Sequence, residues 1–332
     1  MATIIKHPNQ QKQPGLNRLA KPWKKRKSII LLLIAVILSW AIWTNVKEAV
    51  LSRMVPAVVV SEGTLRRQVP VEILIIREEK VVTAPAAGIW SPSARDGERV
   101  KAGGVLASIS PVPGITSGVS GPVPVIAPVA GIVRYTVDGK EEVLSPKTIL
   151  TYDWNAIKEI GASYSPIQRK PGEAVMLGQT VAKIVNNLAP PLFFVTAQEG
   201  SSAVPLKEGR SVKLEWHDGA SVEANVVRFR KSGAEIDYLL QAVSWDETPS
   251  ERRAAGKMVI EQWPGVIVPE EAIVVKQGND GVLLVRPHGV IWHPVEIKGK
   301  VEGQAAVVGL AAKTRIIADP AIFLRSNQLE DE

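Results

Sequence analysis

The chain has 332 residues, 45% of them hydrophobic, with 24 proline and 26 glycine, which suits two or three folded domains rich in turns. It has no cysteine, so disulfides, thiolate metal sites, a cysteine nucleophile and a lipid-modified N-terminal cysteine are excluded. Its +7 charge sits at one end: residues 1–27 hold eight Lys and Arg and no Asp or Glu, leaving −1 for the rest. A nucleic-acid-binding fold would spread its cations over a folded face, and none partners this chain on that reading.

Residues 28–46 follow the basic tail with no charged side chain. The run Ile29 to Leu38 continues through Trp40 and Trp43 to Val46, long enough to span a bilayer as a helix. The two indoles near its far end suit the interface, and the cations at 24–27 should stay cytoplasmic. A cleavable signal peptide would have a shorter apolar run and a small-x-small site before Lys47, which is not seen. The expectation is therefore an uncleaved single-pass anchor, with residues 47–332 extracytoplasmic. Lys47–Arg53 could extend the helix until Pro56, after which 58–60 and 69–76 read as inbound strands split at Glu62-Gly63.

A motif then occurs twice. The first copy reads Ala84-Pro85-Ala86-Ala87-Gly88-Ile89, then Gly97-Glu98-Arg99-Val100-Lys101-Ala102-Gly103, then Leu106-Ala107-Ser108-Ile109. The second reads Ala127-Pro128-Val129-Ala130-Gly131-Ile132, then Gly172-Glu173-Ala174-Val175-Met176-Leu177-Gly178, then Val181-Ala182-Lys183-Ile184. Front halves align at an offset of 43 and back halves at 75, so the second copy carries about 32 extra residues. Proline suits a strand start, Gly88 and Gly131 a tight bend, and Gly-Glu a turn before a half-buried strand. Neither copy can bury a core alone, whereas two packed face to face close a flattened sandwich.

About 16 residues separate Ile109 from Ile126, among them Pro111, Pro113, Gly114, Gly118, Gly121, Pro122 and Pro124. Proline costs roughly 3 kcal/mol and glycine about 1 kcal/mol in a helix interior, so no helical hairpin is expected here. The stretch has no lysine, so no biotin or lipoate is expected on it. The insertion at 137–170 is the least regular part: Val143-Leu144 and Thr148–Tyr152 read as short strands, and Asn155–Ile160 as a turn or two of helix. Trp154 reads either as part of a recognition loop or, in the plainer account, as a cap on the end of the sandwich.

Ala189-Pro190-Pro191 marks a boundary. Strands at 192–197, 211–216, 221–228 and 236–243, with a His217-Asp218-Gly219 turn, read as a small all-β barrel. Residues 246–257 are charged and read as a loop or one helical turn.

The paired A-P-x-x-G and G-E-x-V-x-x-G half-motifs resemble lipoyl and biotinyl half-motifs and the barrel-sandwich hybrid of HlyD-like periplasmic adaptors, the membrane fusion proteins of efflux and secretion pumps. From Gly265, Val266-Ile267-Val268-Pro269-Glu270-Glu271-Ala272-Ile273 looks like the segment opening the adaptor membrane-proximal domain, and 281–285, 294–297 and 308–317 resemble the strands that close it. Lys313 stands where family members usually have glycine, so that turn should be built differently. The resemblance covers about residues 58–320. It implies a mainly β protein: an N-terminal transmembrane helix, a lipoyl-like barrel-sandwich hybrid, a small β-barrel and a membrane-proximal β domain. The corresponding bounds are 1–27 for the tail, 28–46 for the helix and 47–76 for linker and inbound strands. The sandwich takes 77–190, the barrel 191–264, the membrane-proximal domain 265–325 and an acidic tail 326–332.

The family works by assembly, so the resemblance implies an integral-membrane transporter as partner, self-association and a role in export. With no hairpin, it implies no contact with an outer-membrane channel. A structural envelope protein using the same fold without a pump is the alternative. No catalytic, cofactor-binding or metal-binding residue is expected. The histidines His7, His217, His288 and His293 do not converge with a third ligand, and the glycine-rich stretch 114–121 lacks the Lys-Ser or Lys-Thr of a phosphate loop.

Overall fold

The computed structural model describes residues 34–37, 39, 57–112, 121–163, 165–198, 200, 205–244, 251–287 and 289–321. The anticipated membrane helix at 28–46 lies almost wholly outside them; within it, residues 34–37 and 39 are helical and exposed. Among the described residues, no helix is long and apolar enough to cross a membrane. The described chain falls into two units. One gathers residues up to Ser61 with Pro269–Glu296 and those from Gly309 onward; the other is Glu62–Val268 with Ile297–Val308.

In the smaller unit, β1 (Ala57–Val59) pairs with β23 (Arg315–Ile317), which leads to β19 (Asn279–Arg286), flanked by β18 (Ile273–Lys276) and β20 (Gly289–Pro294). Pro269 opens a 3-10 turn over Glu270–Ala272 that buries Ala272. Gly281 lies under Trp292, where a Cβ would come within 2.4 Å of the indole. The turn before β23 corrects the expectation for Lys313. Its backbone is left-handed, φ 62°, the conformation glycine favours, and its N–H donates to Val60 O at 2.8 Å. A side chain in that region costs roughly 1–2 kcal/mol. Lys313→Gly is therefore expected to stabilise this unit by about 1 kcal/mol, read as a higher unfolding midpoint; a lower midpoint would refute the strain.

In the larger unit, one sheet closes on itself. Its order runs β14 (Ser211–Trp216), β15 (Ser221–Ser232), β16 (Glu235–Ala242), β13 (Leu192–Gln198), β2 (Ser61–Ile76) and β17 (Arg253–Pro269), and β14 pairs again with β17. β2 runs unbroken through Glu62-Gly63. β17 takes up residues 253–257 of the charged run read above as loop or helix. β22 (Gln304–Val308) and β21 (Glu296–Val301) extend the same sheet from β17, although the sequence reading grouped them with 265–325.

Alternation puts Ile73, Ile75, Phe193, Val195, Leu214 and Tyr238 inside the barrel. The opposite faces of β2 and β13 are apolar too, because Leu74, Ile76, Leu192 and Phe194 meet a second cluster outside it.

That second cluster comes from the insertion. The two-residue strands β9 (Thr136–Val137) and β10 (Ile167–Gln168) pair at its base. Between them lie α1 (Pro146–Ile149), with a Ser145/Thr148 capping box, and α2 (Trp154–Ala162). Asp153 caps α2, its Oδ1 accepting from Asn155 N at 2.8 Å and Ala156 N at 3.0 Å. The strands anticipated at 143–144 and 148–152 are not formed: proline at the first helical turn and the capping box favour helix there.

Candidate functional site

The twin motif folds into two four-stranded sheets, each drawing on both copies. One has the order β11 (Ala174–Val175), β4 (Gly88–Pro92), β6 (Val105–Ser110), β7 (Val123–Ile126). The other is β5 (Arg99–Val100), β8 (Gly131–Arg134), β12 (Thr180–Val185), β3 (Glu79–Thr83). Exchanging the two copies maps one order onto the other, and the hydrogen bonds repeat the exchange. Gly103 N donates to Ala127 O and Gly178 N to Ala84 O, both at 2.8 Å. Trp90 N donates to Glu173 O at 2.8 Å and Val133 N to Glu98 O at 3.0 Å. Gly97 and Gly172 have φ 84° and 85°, and Gly103 and Gly178 both have 78°. Between the sheets, Leu106, Ile109, Val181 and Ile184 are fully buried around Trp90, whose ring meets Tyr135 edge-on at 5.7 Å. Burial pushes the Tyr135 phenol up to about 12, and its hydroxyl bonds Ala94 O at 2.8 Å.

β6 and β7 are antiparallel neighbours with Ile109 opposite Val123. Residues 111–122 alone join them, too few for two helices that would each be stable in water.

Sequence reasoning missed a buried ion cluster where this sandwich, the insertion and the barrel meet. Arg252, just before β17, is 1% exposed, and Glu79 on β3 and Asp138 after β9 are as deeply buried. The Arg252 guanidinium bonds Glu79 Oε2 and both oxygens of Asp138. Lys183 Nζ lies 3.1 Å from Glu79 Oε2 and 3.6 Å from Glu141 Oε1, and Arg77 Nε lies 3.3 Å from Glu79 Oε1. Glu141 Oε1 also accepts from Asp138 N at 2.8 Å.

Three cations thus face three carboxylates, as burial requires. Burial alone would raise the Asp138 carboxyl, but the hydrogen bond and charge of Arg252 outweigh it and hold the group at about 2. Burial likewise opposes the Arg252 charge, and Glu79 and Asp138 more than offset it, raising its pKa. Burial draws Arg77 below its ordinary value.

A second contact set joins the insertion to the barrel wall. Trp154 packs on Phe194 at 5.7 Å, with the Arg228 and Arg230 guanidinium carbons 4.9 and 5.6 Å from its ring. Trp154 therefore covers the barrel; it does not cap the end of the sandwich or stand in a free loop. Lys158 Nζ reaches Glu235 Oε2 at 2.7 Å and the buried Asp237 Oδ1 at 2.8 Å. A cleft of about 620 Å³ runs beside this contact, with Leu74, Ile157 and Phe194 among its lining and Lys158, Glu235 and Arg253 contributing charge.

His217 lies in the β14–β15 turn and borders the cleft; His293 Nε2 is 2.8 Å from Gly309 O. His7 and His288 fall outside the described residues. Among the described residues, no group of three or more His, Cys, Asp or Glu could hold a metal ion.

Residues 79–186 match the family described as RND related, barrel-sandwich hybrid domain. No curated protein matches the chain. Similar solved structures include ZneB from Cupriavidus metallidurans, at 13% identity and TM-score 0.33, covering 81% of this chain and 93% of that one. MacA from Actinobacillus actinomycetemcomitans is 12% identical with TM-score 0.31, covering 79% and 99%. The membrane fusion protein Spr0693 from Streptococcus pneumoniae R6 is 10% identical with TM-score 0.26, covering 57% and 98%. TM-scores of this size do not equate whole folds. Residues 79–186 thus form an RND-related barrel-sandwich hybrid domain, the kind its paired half-motifs resemble, with no room for a helical hairpin between its halves.

Proposed function

We propose that this protein is a membrane-anchored adaptor subunit. On this reading it assembles with an integral-membrane transporter on the extracytoplasmic side, self-associates there and supports export. The observation that carries the reading is an RND-related barrel-sandwich hybrid whose halves are joined only by residues 111–122. The basic tail and the uncharged run at 28–46 support an anchor with a cytoplasmic N-terminus. The short connection suits a complex that stays at the inner membrane, or a cell with one membrane. No residue takes a catalytic role; the work is done by contact surfaces.

In-membrane crosslinking of the full chain, followed by pull-down, tests the partner. An integral-membrane permease is the expected main product. Division or wall-synthesis proteins in its place would replace this reading with that of an envelope scaffold. In the same cells, external protease should digest residues 47–332 and spare the tail; complete protection would overturn the orientation.

A further inference from the structure

The 32-residue excess in the second half-motif has no role in closing the sandwich, because the first half-motif closes without it. Its path leaves the sandwich at β9, crosses the outer wall of the barrel as α1 and α2, and returns to β10 beside its starting point. It is held at both ends of that path. At the sandwich end, Asp138 and Glu141 enter the buried ion cluster with Arg252 of the barrel and with Glu79 and Lys183 of the sandwich. At the barrel end, Leu144, Ile149 and Ile157 are fully buried against Leu74, Ile76 and Phe194. Lys158 and the Trp154 stack add polar contacts there. Gly161 permits the close seat of α2, since a Cβ would lie 2.9 Å from Leu74 Cδ2.

A chain segment with a buried grip on each of two domains removes the hinge between them. A hinge needs a few loop residues free to change their backbone angles. Of the two connections, the one before β3 is pinned by Arg77 and Glu79, buried in the ion cluster, and the one after β12 is tied to it by Asn186 N donating to Glu78 O at 2.9 Å. We infer that the insertion at 137–170 is a strap that holds the sandwich and the barrel together as one rigid body. Motion received by the barrel would then reach the sandwich undamped, whichever partner supplies it.

The absence of cysteine makes this directly measurable. Ser93→Cys and Ser221→Cys place spin labels at exposed positions on the sandwich and the barrel of the full chain. Pulsed electron-electron double resonance is expected to give one narrow distance distribution. Hydrogen exchange of the unlabelled wild type is expected to protect the α2 amides from Ile157 to Ala162, the ones with helical acceptors, as strongly as β2 and β13. Trp154→Ala with Lys158→Glu removes the stack and turns the Lys158 contact into repulsion from Glu235 and Asp237. With the β-sheet circular dichroism retained, that variant should lose the single narrow distribution. A broad or split wild-type distribution, fast exchange of the α2 amides from Ile157 to Ala162, or a folded variant whose distribution stays narrow would each overturn the strap. If the variant does not fold, the two wild-type measurements decide.

Discussion

Arg252→Met is expected to destabilise the larger unit by about 3–5 kcal/mol, because it leaves Glu79 and Asp138 buried with a lost cation. For a unit of this size that corresponds to a fall of roughly 6–20 °C in the unfolding midpoint. The pH dependence identifies the cause. In the wild type the folded Asp138 pKa of about 2 lies below its unfolded value, near 3.9. Its contribution is therefore present above about pH 4 and is lost as pH falls through about 2. Without Arg252 its hydrogen bond and charge no longer hold the carboxyl down, so the folded pKa of Asp138 moves up from about 2 and protonation costs the variant less than the wild type. The gap between variant and wild type should be widest near neutral pH and narrow towards acid. Thermal unfolding of both proteins across that range checks it, and a gap independent of pH would point to lost packing instead.

Gly88→Ala and Gly131→Ala should produce a matched pair of large losses. A Cβ at Gly88 would lie 2.3 Å from Ser110 O and 2.7 Å from Ile109 Cγ2. At Gly131 the distances are 2.4 Å to Val185 O and 2.7 Å to Ile184 Cγ2. The obstruction is backbone within a packed sheet, so the strand has to shift. We expect about 2–3 kcal/mol for each, at the upper end of ordinary overpacking. The two positions lie in different sheets, so the double variant should come close to the sum. Gly103→Ala is the control: no atom lies within 4 Å, and only its left-handed backbone, φ 78°, resists substitution at roughly 1 kcal/mol. Equilibrium unfolding of the four proteins measures this, and a loss at only one of the two matched glycines would break the proposed equivalence.

Much of the sandwich was legible because its demands are local. A bend with no space for a side chain requires glycine, and a turn after it requires another, so the same residues recur at matching spacing in both copies. The barrel strands were legible for a similar reason, through alternation and the His217-Asp218-Gly219 turn, where Gly219 has φ 87°. The insertion was harder. Its helices are short, and their stability comes from the apolar wall beneath them. A signal for that wall was present: Ile73–Ile76 and Leu192–Val195 are unbroken apolar runs, as strands buried on both faces require. Lys313 misled because a family preference for glycine says which residue fits a left-handed turn most cheaply. The backbone bonds of Lys313 and Thr314 to Val60 hold that turn with lysine in place.

The sequence by itself determined that the chain carries a duplicated strand motif, that residues between its copies cannot make a helical hairpin, and that no thiol chemistry is possible. These depend on residue type and spacing along the chain. Only the tertiary structure decided that each sheet takes strands from both copies and that the insertion lies on the barrel. It also decided which charges are buried. Arg252 sits in a charged run that reads as a loop or one helical turn, yet it is enclosed because it meets Glu79, 173 residues away, and Asp138, 114 away. A charge becomes tolerable in a core through its partners, and the partners are set by how the strands are brought together in space.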